Sequence, residues 1–259
     1  MVKTFAVSSN KGGVLKTSLT TNIAAMLSTQ GKKVLIIDTD NQGNVALTFG
    51  KNHDQYENTI YDVLVSGFDI NQAIVNVAQN IDMIPSNDDM SYFDIDVLTN
   101  KADYPNAFDL LKNALGKITA EYDYIFIDTP PNLGLTVGNV LNAVEEVITP
   151  FHPETYSLRS LTKTIKAINN FKKTNPKLKL NSIVPTKVRQ TNLHTANIVS
   201  CQGFAQSNGI HVTENVIPET IAFANSVGKY RLPLVLAHKT ASEKKMVEVY
   251  EKLVKEMDL

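Results

Sequence analysis

The chain has few or none of several residue types that would define particular protein classes. Of its 259 residues one is cysteine, Cys201, and none is tryptophan. A single cysteine excludes a disulfide framework and is typical of a protein in a reducing cytoplasm. No apolar run approaches the ~18 residues that a membrane-spanning helix needs. The segment before the first glycines is too short for a secretory signal peptide, so we expect a cytoplasmic protein with no stable membrane association.

Acidic residues are missing from a long internal segment. Residues 155–213 contain nine basic residues and no acid, whereas residues 53–150 contain sixteen acids and three lysines. The net charge is nevertheless only −1 because the two segments nearly cancel. A stretch with only positive charge favours a surface for nucleic acid. The alternative is a solvated helix face whose lysines pair with the acidic half.

The apolar residues of the chain alternate between two patterns. Continuous apolar runs predict buried strands at residues 4–7, 34–37, 81–85, 124–127, 147–150 and 180–186, with a short strand near Val212. Helical spacing predicts helices at 17–29, 107–119, 158–171, 192–207 and 241–257, with short ones at 59–67 and 70–78. Alternating strands and helices predict an α/β fold with a doubly wound, mostly parallel sheet. With no linker or repeat, residues 1–259 are expected to form a single domain.

Residues 9–18, SNKGGVLKTS, lie between the first predicted strand and the first predicted helix. Strand, glycine loop, Lys-Thr and helix in this order are typical of a phosphate-binding loop. Its backbone N–H groups and the start of the helix would favour a bound anion. Lys16 is placed to neutralise terminal phosphate charge, and the Thr17 hydroxyl to ligate Mg²⁺. The alternative is a chance glycine loop between a strand and a helix.

Aspartates follow two of the predicted strands. Asp38 and Asp40 come directly after residues 34–37, and Asp128 comes directly after residues 124–127. Ligands of open α/β sheets bind at the carboxyl ends of the strands, so these carboxylates are expected beside the phosphates. The structural alternative is that they cap strand ends.

The loop, read together with these aspartates, resembles the deviant Walker A ATPases of the ParA/MinD group. The resemblance rests on Lys11 before Gly12-Gly13, on Lys16-Thr17, and on DTDNQGN at residues 38–44. It continues in YIFIDTPP at residues 124–131, which is similar to the Walker B strand of the family. Residues 132–142 are similar to its switch II, and residues 215–218, NVIP, to its turn near adenine. The resemblance therefore implies a P-loop NTPase fold of the deviant Walker A type.

The resemblance also implies an activity and a set of site residues. It implies a weak intrinsic ATPase that uses ATP and Mg²⁺ and forms an ATP-sandwiched homodimer. Asp40 would orient the attacking water, and Lys11 would reach the nucleotide of the partner, unless it is an ordinary surface lysine. Thr17 would bind Mg²⁺ directly and Asp128 through water, with Asp38 nearby. The implied nucleotide contacts are Lys11, Gly12, Gly13, Val14, Leu15, Lys16, Thr17, Ser18, Lys187 and Pro218.

A second implied function is DNA segregation, of a plasmid or chromosome, in which the dimer coats the nucleoid. The dimer would bind double-stranded DNA without reading sequence, and a centromere-binding ParB-like partner would stimulate hydrolysis and release. The candidate DNA contacts are Lys172, Lys173, Lys187, Arg189, Lys229, Arg231, Lys244 and Lys245. The basic residue that the family has after Val-Ile-Pro is absent, since Glu219 stands there. The alternative is a MinD-like membrane-cycling ATPase, which residues 243–259, with four lysines against five acids, disfavour.

Leu15 is the main departure from the family, which has glycine at this position. Glycine permits positive φ and close approach of the backbone to phosphate, while leucine resists both. The leucine side chain could also press on the Lys11 or the nucleotide of a partner. We therefore expect nucleotide binding with impaired dimerisation and slow hydrolysis. A nucleotide-dependent binding module without hydrolysis is the third alternative.

Overall fold

A computed structural model describes residues 2–238 and 240–259. Its centre is a seven-stranded sheet in the order β3-β4-β2-β5-β1-β6-β7. The strands are β1 (Lys3–Val7), β2 (Val34–Asp38), β3 (Val75–Ala78), β4 (Ile81–Ile84), β5 (Tyr124–Asp128), β6 (Glu146–Phe151) and β7 (Lys179–Pro185). Within the described residues, every strand pairing in this sheet is parallel except β3 with β4. The predicted fold class is confirmed.

Helices cover both faces of the sheet. They are α1 (Lys16–Thr29), α2 (Asn44–Thr48), α3 (Ile60–Val65), α4 (Phe93–Thr99), α5 (Leu110–Leu115), α6 (Leu135–Ala143), α7 (Ser157–Phe171), α8 (Asn192–Gln206), α9 (Ala222–Asn225), α10 (Leu234–Ala237) and α11 (Ala241–Glu256). A π-helical turn, Ser226–Tyr230, separates α9 from α10. Short 3₁₀ turns occur at His53–Gln55, Ile70–Ala73 and Asp88–Ser91.

The central strands are apolar along their whole length because both of their faces are buried. In β2, Ile36 packs into a core with α1, α2, α10 and α11, while Ile37 packs into the core on the opposite face with α3 to α6. In β5, Phe126 and Ile127 divide between the same two cores. Successive side chains of a strand point to opposite faces, so a strand between two helix layers has no polar side. Cys201 is also buried, in α8, where burial raises the pKa of its thiol to about 12.

Three predicted elements differ in the structure. Residues 70–78 do not form a helix, because a 3₁₀ turn leads into β3, which pairs antiparallel with β4. The predicted helix at residues 107–119 is shorter, since α5 spans only Leu110–Leu115. The predicted strand at Val212 is an isolated bridge to Ile183. Val75 and Val77 are β-branched and suit an edge strand, although residues 70–78 also place apolar side chains at helical spacing.

Candidate nucleotide-binding site

The loop between β1 and α1 is held from several elements of the fold. The Asn10 backbone N–H donates to Thr164 Oγ1 of α7 at 3.1 Å. The Thr186 hydroxyl, just after β7, donates to the Val14 carbonyl at 3.0 Å. Gly13 has φ +69°, a conformation that glycine adopts without strain. The fold therefore fixes the position of the loop through residues more than a hundred positions away in sequence.

A cleft of about 440 Å³ opens beside this loop at the carboxyl edge of the sheet. Its walls bring together the loop, the segment after β2, the segment after β5 and the segment after β7. They include Gly12, Gly13, Leu15, Lys16, Thr17, Ser18, Asp40, Pro131 and Lys187. The structure thus brings together most of the nucleotide contacts that the sequence predicts, while their roles remain predictions.

Lys16 extends along the floor of the loop. Its side chain is buried, and Nζ donates to the Lys11 carbonyl at 3.3 Å. Burial lowers the pKa of Lys16, while the charges of Asp128 and Asp40 act in the opposite direction. A buried ammonium between two carboxylates is placed to meet the charge of a phosphate entering the cleft.

Asp128 at the end of β5 is tied to the first turn of α1. Its carboxylate accepts hydrogen bonds from the Thr17 hydroxyl at 2.5 Å and the Thr20 hydroxyl at 3.3 Å. Burial raises the pKa of Asp128 to about 7, and the two hydroxyls and the Lys16 charge act against that rise. The predicted magnesium residues Thr17 and Asp128 are therefore in direct contact.

Asp38 holds the backbone that follows β2. Its two carboxylate oxygens accept from the Asp40 and Val45 backbone N–H groups, each at 3.0 Å. It is fully buried and lies opposite Asp128 in the register of β2 with β5. Burial raises the pKa of Asp38 well above its usual range, and the neighbouring Asp128 raises it further. Asp38 therefore has the strand-end capping role that the sequence left open. The Asp40 carboxylate, two residues later, lies in the wall of the cleft.

These residues fit a magnesium ion in their chemistry. Thr17 supplies a hydroxyl, and Asp38 and Asp128 supply buried carboxylates whose negative charges repel each other. Hydroxyl and carboxylate oxygens are the ligands that Mg²⁺ prefers, and the ion usually keeps waters and phosphate oxygens as further ligands. Among the described residues, no group of three or more His, Cys, Asp or Glu side chains could hold a metal. A magnesium ion held by these residues would therefore take its further ligands from water or phosphate.

Lys11 does not point into the cleft. Its Nζ forms an ion pair with Glu154 Oε2 at 2.6 Å and donates to Ser157 Oγ at 3.1 Å. The hydrogen bond from Lys11 lowers the pKa of Glu154, and nearby His152 acts in the same direction. Lys11 is thus held within its own chain by Glu154, between β6 and α7, and by Ser157, the first residue of α7. The sequence analysis did not identify either residue.

Leu15 has the left-handed conformation despite its side chain, with φ +70° and ψ +31°. The side chain is half-buried and packs against the core next to α1. It lines the cleft and also a second one of about 810 Å³, whose walls include Lys187, Pro218, Phe223 and Val227. Leucine therefore takes the backbone angles that glycine prefers, at a cost of ~1–2 kcal/mol. The predicted contact Pro218 lies in this second cleft, and Lys187 in both.

Two threonines that sequence reasoning missed connect the strand ends. The Thr39 hydroxyl donates to the Asp128 carbonyl at 2.7 Å, and the Thr129 hydroxyl donates to the Val7 carbonyl at 2.9 Å. Both are fully buried or nearly so. A Thr directly after a strand that ends in Asp is the signal that could have identified them.

The candidate DNA contacts lie at two opposite edges of the sheet. Lys172 and Lys173 end α7, which returns from β6 to the start of β7, so they lie at the amino edge. Lys187 and Arg189 follow β7 at the carboxyl edge, where Lys187 and Val227 line the same cleft. The π-helical turn that contains Val227 also carries Lys229, and Arg231 follows it.

Helix α11 places the last two candidates at the carboxyl edge. Its end lies at the amino edge, where Asn181 of β7 donates to the Met257 carbonyl at 3.2 Å. Its 16 residues span ~24 Å, so Lys244 and Lys245 in its first turns lie toward the carboxyl edge. Both side chains are exposed.

The acid-free segment is partly neutralised. Lys177 pairs with Glu145 at 3.2 Å and Lys179 pairs with Glu146 at 3.1 Å, and both glutamates belong to the acidic half of the chain. Arg189 forms an ion pair with Glu219. Lys177, Lys179 and Arg189 are thus paired with acids, as the alternative to a nucleic-acid surface expects. Lys172 and Lys173 have no ion pair within the described residues.

Comparison with known proteins decides the family. A family model described as an AAA domain matches residues 2–180. A ParA family protein of Mycoplasma pneumoniae is 32% identical over 255 residues, which cover 93% of this chain and 92% of that protein. This chain belongs to the ParA family of P-loop ATPases. The predicted family is confirmed over nearly the whole length of the chain.

Solved structures related to this ParA family member contain nucleotides. A plasmid partition protein of Borrelia burgdorferi bound to AMPPNP is 26% identical, with a TM-score of 0.76 over 98% of this chain and all of that one (100%). Cobyrinic acid a,c-diamide synthase of Mycobacterium smegmatis with bound ADP and magnesium is 29% identical, with a TM-score of 0.76 over 89% of this chain and 91% of that one.

Proposed function

We propose that this protein is an ATPase that segregates or positions a cellular cargo, such as a plasmid or chromosome. ATP binding drives two copies into a dimer, the dimer binds double-stranded DNA without reading sequence, and a ParB-like partner stimulates hydrolysis and release. Support comes from the ParA family membership and from the Borrelia plasmid partition protein that shares the fold.

One observation carries the proposal. Lys16, Thr17 and Asp40 line a single cleft beside a glycine loop at the carboxyl edge of a parallel sheet, and Asp128 contacts Thr17 there. Phosphoryl transfer requires positioned groups and charge neutralisation more than covalent chemistry, and this cleft supplies both. A chance glycine loop would not bring these four side chains together.

The proposed roles follow from these positions. The loop amides and Lys16 hold the β and γ phosphates, and the second cleft, with Pro218, holds the base. Thr17, Asp128 and Asp38 would hold Mg²⁺, Thr17 through its hydroxyl and the two carboxylates partly through water. When bound, Mg²⁺ would neutralise charge on the phosphate oxygens. Asp40 orients the attacking water, and Lys11 leaves Glu154 to reach the nucleotide of the second copy.

DNA is favoured over a membrane as the surface that the dimer binds. The apolar side of α11 is used inside the protein, where Tyr250, Leu253 and Val254 are buried. An amphipathic helix that docks on a bilayer needs its apolar side free. No helix of residues 2–238 or 240–259 is long and apolar enough to span a bilayer.

The test measures mass and DNA binding in three nucleotide states. Light scattering is recorded without nucleotide, with ADP and with ATP and magnesium, and DNA retardation is measured in parallel at low salt. We expect a monomer without nucleotide, a dimer with ATP, and retardation of random-sequence duplex DNA only in the ATP state. Isothermal calorimetry with ADP and ATP measures binding directly.

A pair of lysine variants controls this test. Lys16→Ala removes the buried ammonium of the loop and should abolish both nucleotide binding and the dimer. Lys32→Ala removes an exposed lysine after α1, away from the cleft, and should change neither. If no heat is measured with either nucleotide, the proposal is wrong. A dimer that forms with ATP but binds vesicles and not DNA would favour the MinD-like alternative.

A further inference from the structure

Helix α4 and Tyr92, the residue directly before it, expose apolar side chains on the outer side of the protein. Phe93 and Val97 are buried in the core, whereas Tyr92, Ile95 and Leu98 are 58%, 61% and 46% exposed. Their spacing of three residues places them on one side of the helix. We call these three residues the α4 stripe. Single exposed apolar residues are common, but three in line on one short helix are typical of a contact surface.

The sequence on either side of the α4 stripe is rich in aspartate. Residues 82–109 contain seven aspartates and one lysine, Lys101. Some of these aspartates accept hydrogen bonds from neutral groups, as Asp96 does from the Tyr61 hydroxyl at 2.6 Å. Within the described residues, none of the seven forms an ion pair. Lys101 and Lys112 line a groove with Leu98 at one end of the stripe. The unpaired negative charge is therefore concentrated at the other end, where the exposed Asp88 and Asp89 precede Tyr92.

One aspartate of α4 connects the stripe to the nucleotide site. The Asp94 carboxylate accepts from the Leu135 and Thr136 backbone N–H groups at 3.1 and 3.3 Å, and from the Thr136 hydroxyl at 3.2 Å. These groups form the first turn of α6, which begins seven residues after Asp128. Asp94 thus caps the helix at the end of the loop that leaves the nucleotide cleft.

We propose that the α4 stripe is the docking surface for a positively charged amphipathic helix of a partner protein, and that Asp94 couples docking to the loop before α6. This inference rests on the proposed function, because it places the partner that stimulates hydrolysis. Leucine-like side chains of the partner cover Tyr92, Ile95 and Leu98, and its lysines or arginines face the surrounding carboxylates. Docking moves α4, and α4 moves the first turn of α6 through Asp94.

Charge selects this occupant over the others. A second copy of the same surface would place like charges opposite each other, which disfavours a symmetric contact. Nucleic acid and anionic lipid carry the same sign of charge as the surface and are repelled by it. A cationic protein segment with an apolar side meets both features of the α4 stripe.

The test uses a synthetic peptide of about 14 residues, with leucines on one side of a helix and lysines on the other. Its binding to the full-length protein is measured by fluorescence anisotropy. Y92S/I95S/L98S should weaken binding about tenfold or more. L193S/V199S is the matched control, since it removes two side chains of α8 that are 53% and 60% exposed, and it should not change binding. A peptide with glutamate in place of lysine should not bind.

Coupling is tested with Asp94→Ala. The lysine peptide should increase the rate of phosphate release by the wild type about threefold or more. In Asp94→Ala the peptide should still bind, but this increase should disappear. An equal response in both proteins overturns the coupling. Equal peptide affinity for the wild type and Y92S/I95S/L98S, or no affinity for the wild type, overturns the docking surface.

Nucleotide binding separates this inference from the proposed function. ATP affinity is measured by calorimetry for the wild type and for Y92S/I95S/L98S, and it should be the same for both. If the stripe variant binds ATP but no longer dimerises, and the peptide does not bind the wild type, then a second copy occupies the surface. That result contradicts the docking proposal and leaves the ATPase proposal standing. Loss of ATP binding by the wild type contradicts both.

Discussion

At the level of single residues, the pair between Lys11 and Glu154 defines the starting state of the loop. Lys11 cannot contact Glu154 of its own chain and the nucleotide of a second copy at the same time. The ion pair, at 2.6 Å, therefore competes with the dimer. Half of the Glu154 side chain is exposed, so the pair contributes ~1 kcal/mol or less to stability.

Glu154→Gln should release Lys11 and favour the dimer. Because each dimer contains two such lysines, we expect half-maximal dimerisation at an ATP or protein concentration about fivefold lower, with little change in melting temperature. Light scattering across a concentration series measures this. Glu145→Gln, which breaks a comparable exposed pair with Lys177 at the other edge, is the control and should have no effect. A weaker dimer in Glu154→Gln would show that Glu154 assists the contact instead.

The buried carboxylate of Asp128 predicts that the folding stability of the nucleotide-free protein depends on pH. Burial raises its pKa to about 7 from the ordinary 3.8, so the folded state binds a proton that the unfolded state has already lost. Stability from this group is therefore present at low pH and decreases as pH rises from about 4 to about 7. In chelator, Asp128→Asn should stabilise the protein relative to the wild type at about pH 8, and about half as much at about pH 5.5.

Thermal melts of both proteins at the two pH values measure this difference. Comparing variant with wild type cancels the carboxylates that do not interact with Asp128, including Glu154, Glu219 and Glu256, whose pKa values are lowered. Asp38 does not cancel, because Asp128 raises its pKa, and the loss of that effect adds to the stabilisation of the variant at high pH. Asp103→Asn, at an exposed carboxylate that has no ion pair within the described residues, is the control and should show no such difference. If Asp128→Asn is equally stabilised at both pH values, the added stability does not come from removing the charge of Asp128.

At the level of elements, the positive segment of the sequence is divided by the fold. Helix α7 carries Lys172 and Lys173 to the amino edge, while Lys244 and Lys245 at the start of α11 lie toward the carboxyl edge with the cleft. DNA binding that depends on ATP requires contacts near the residues that ATP rearranges. We therefore expect the carboxyl edge to bind DNA.

A comparison of two double variants tests this assignment. K244A/K245A should weaken DNA retardation in the ATP state and lower the slope of log affinity against log salt by about 2, one for each phosphate contact. K172A/K173A removes two exposed lysines at the amino edge and should leave both quantities unchanged. The reverse result would place the DNA surface at the end of α7.

The elements also show which parts of the structure sequence reasoning could reach. Strands β2 and β5 were predictable because they are buried on both faces and contain only apolar residues before their terminal aspartates. Strand β3 was not predictable, because helical spacing also fits the apolar residues Ile70, Ala73, Ile74 and Val77. Only its pairing with β4 makes residues 75–78 a strand. The loop residues and aspartates were predictable as a motif. The contact of Lys11 with Glu154 and that of Asp94 with α6 join residues 143 and 41 positions apart, and no local pattern encodes them.

At the scale of the whole molecule, replacing Leu15 with glycine should change the stability of the protein only slightly, because Leu15 has a left-handed conformation. Leu15→Gly removes a left-handed strain of ~1–2 kcal/mol. It also gives the unfolded chain more freedom, which costs ~0.5–1 kcal/mol, and it removes the packing of a half-buried side chain. These contributions largely cancel, so we expect the melting temperature to change by only a few degrees.

Dimerisation should respond more strongly than stability, because Leu15 lines both of the clefts that we assign to the phosphates and the base. In Leu15→Gly the loop backbone can approach the phosphates, and no side chain presses on the second copy. We expect ATP-dependent dimerisation and phosphate release to increase about fivefold or more. Leu15→Ala keeps the Cβ and the strained φ but shortens the side chain, so it should give an intermediate increase. If light scattering and phosphate release are unchanged in both variants, Leu15 does not limit assembly, and the slow step belongs to the release of Lys11 from Glu154.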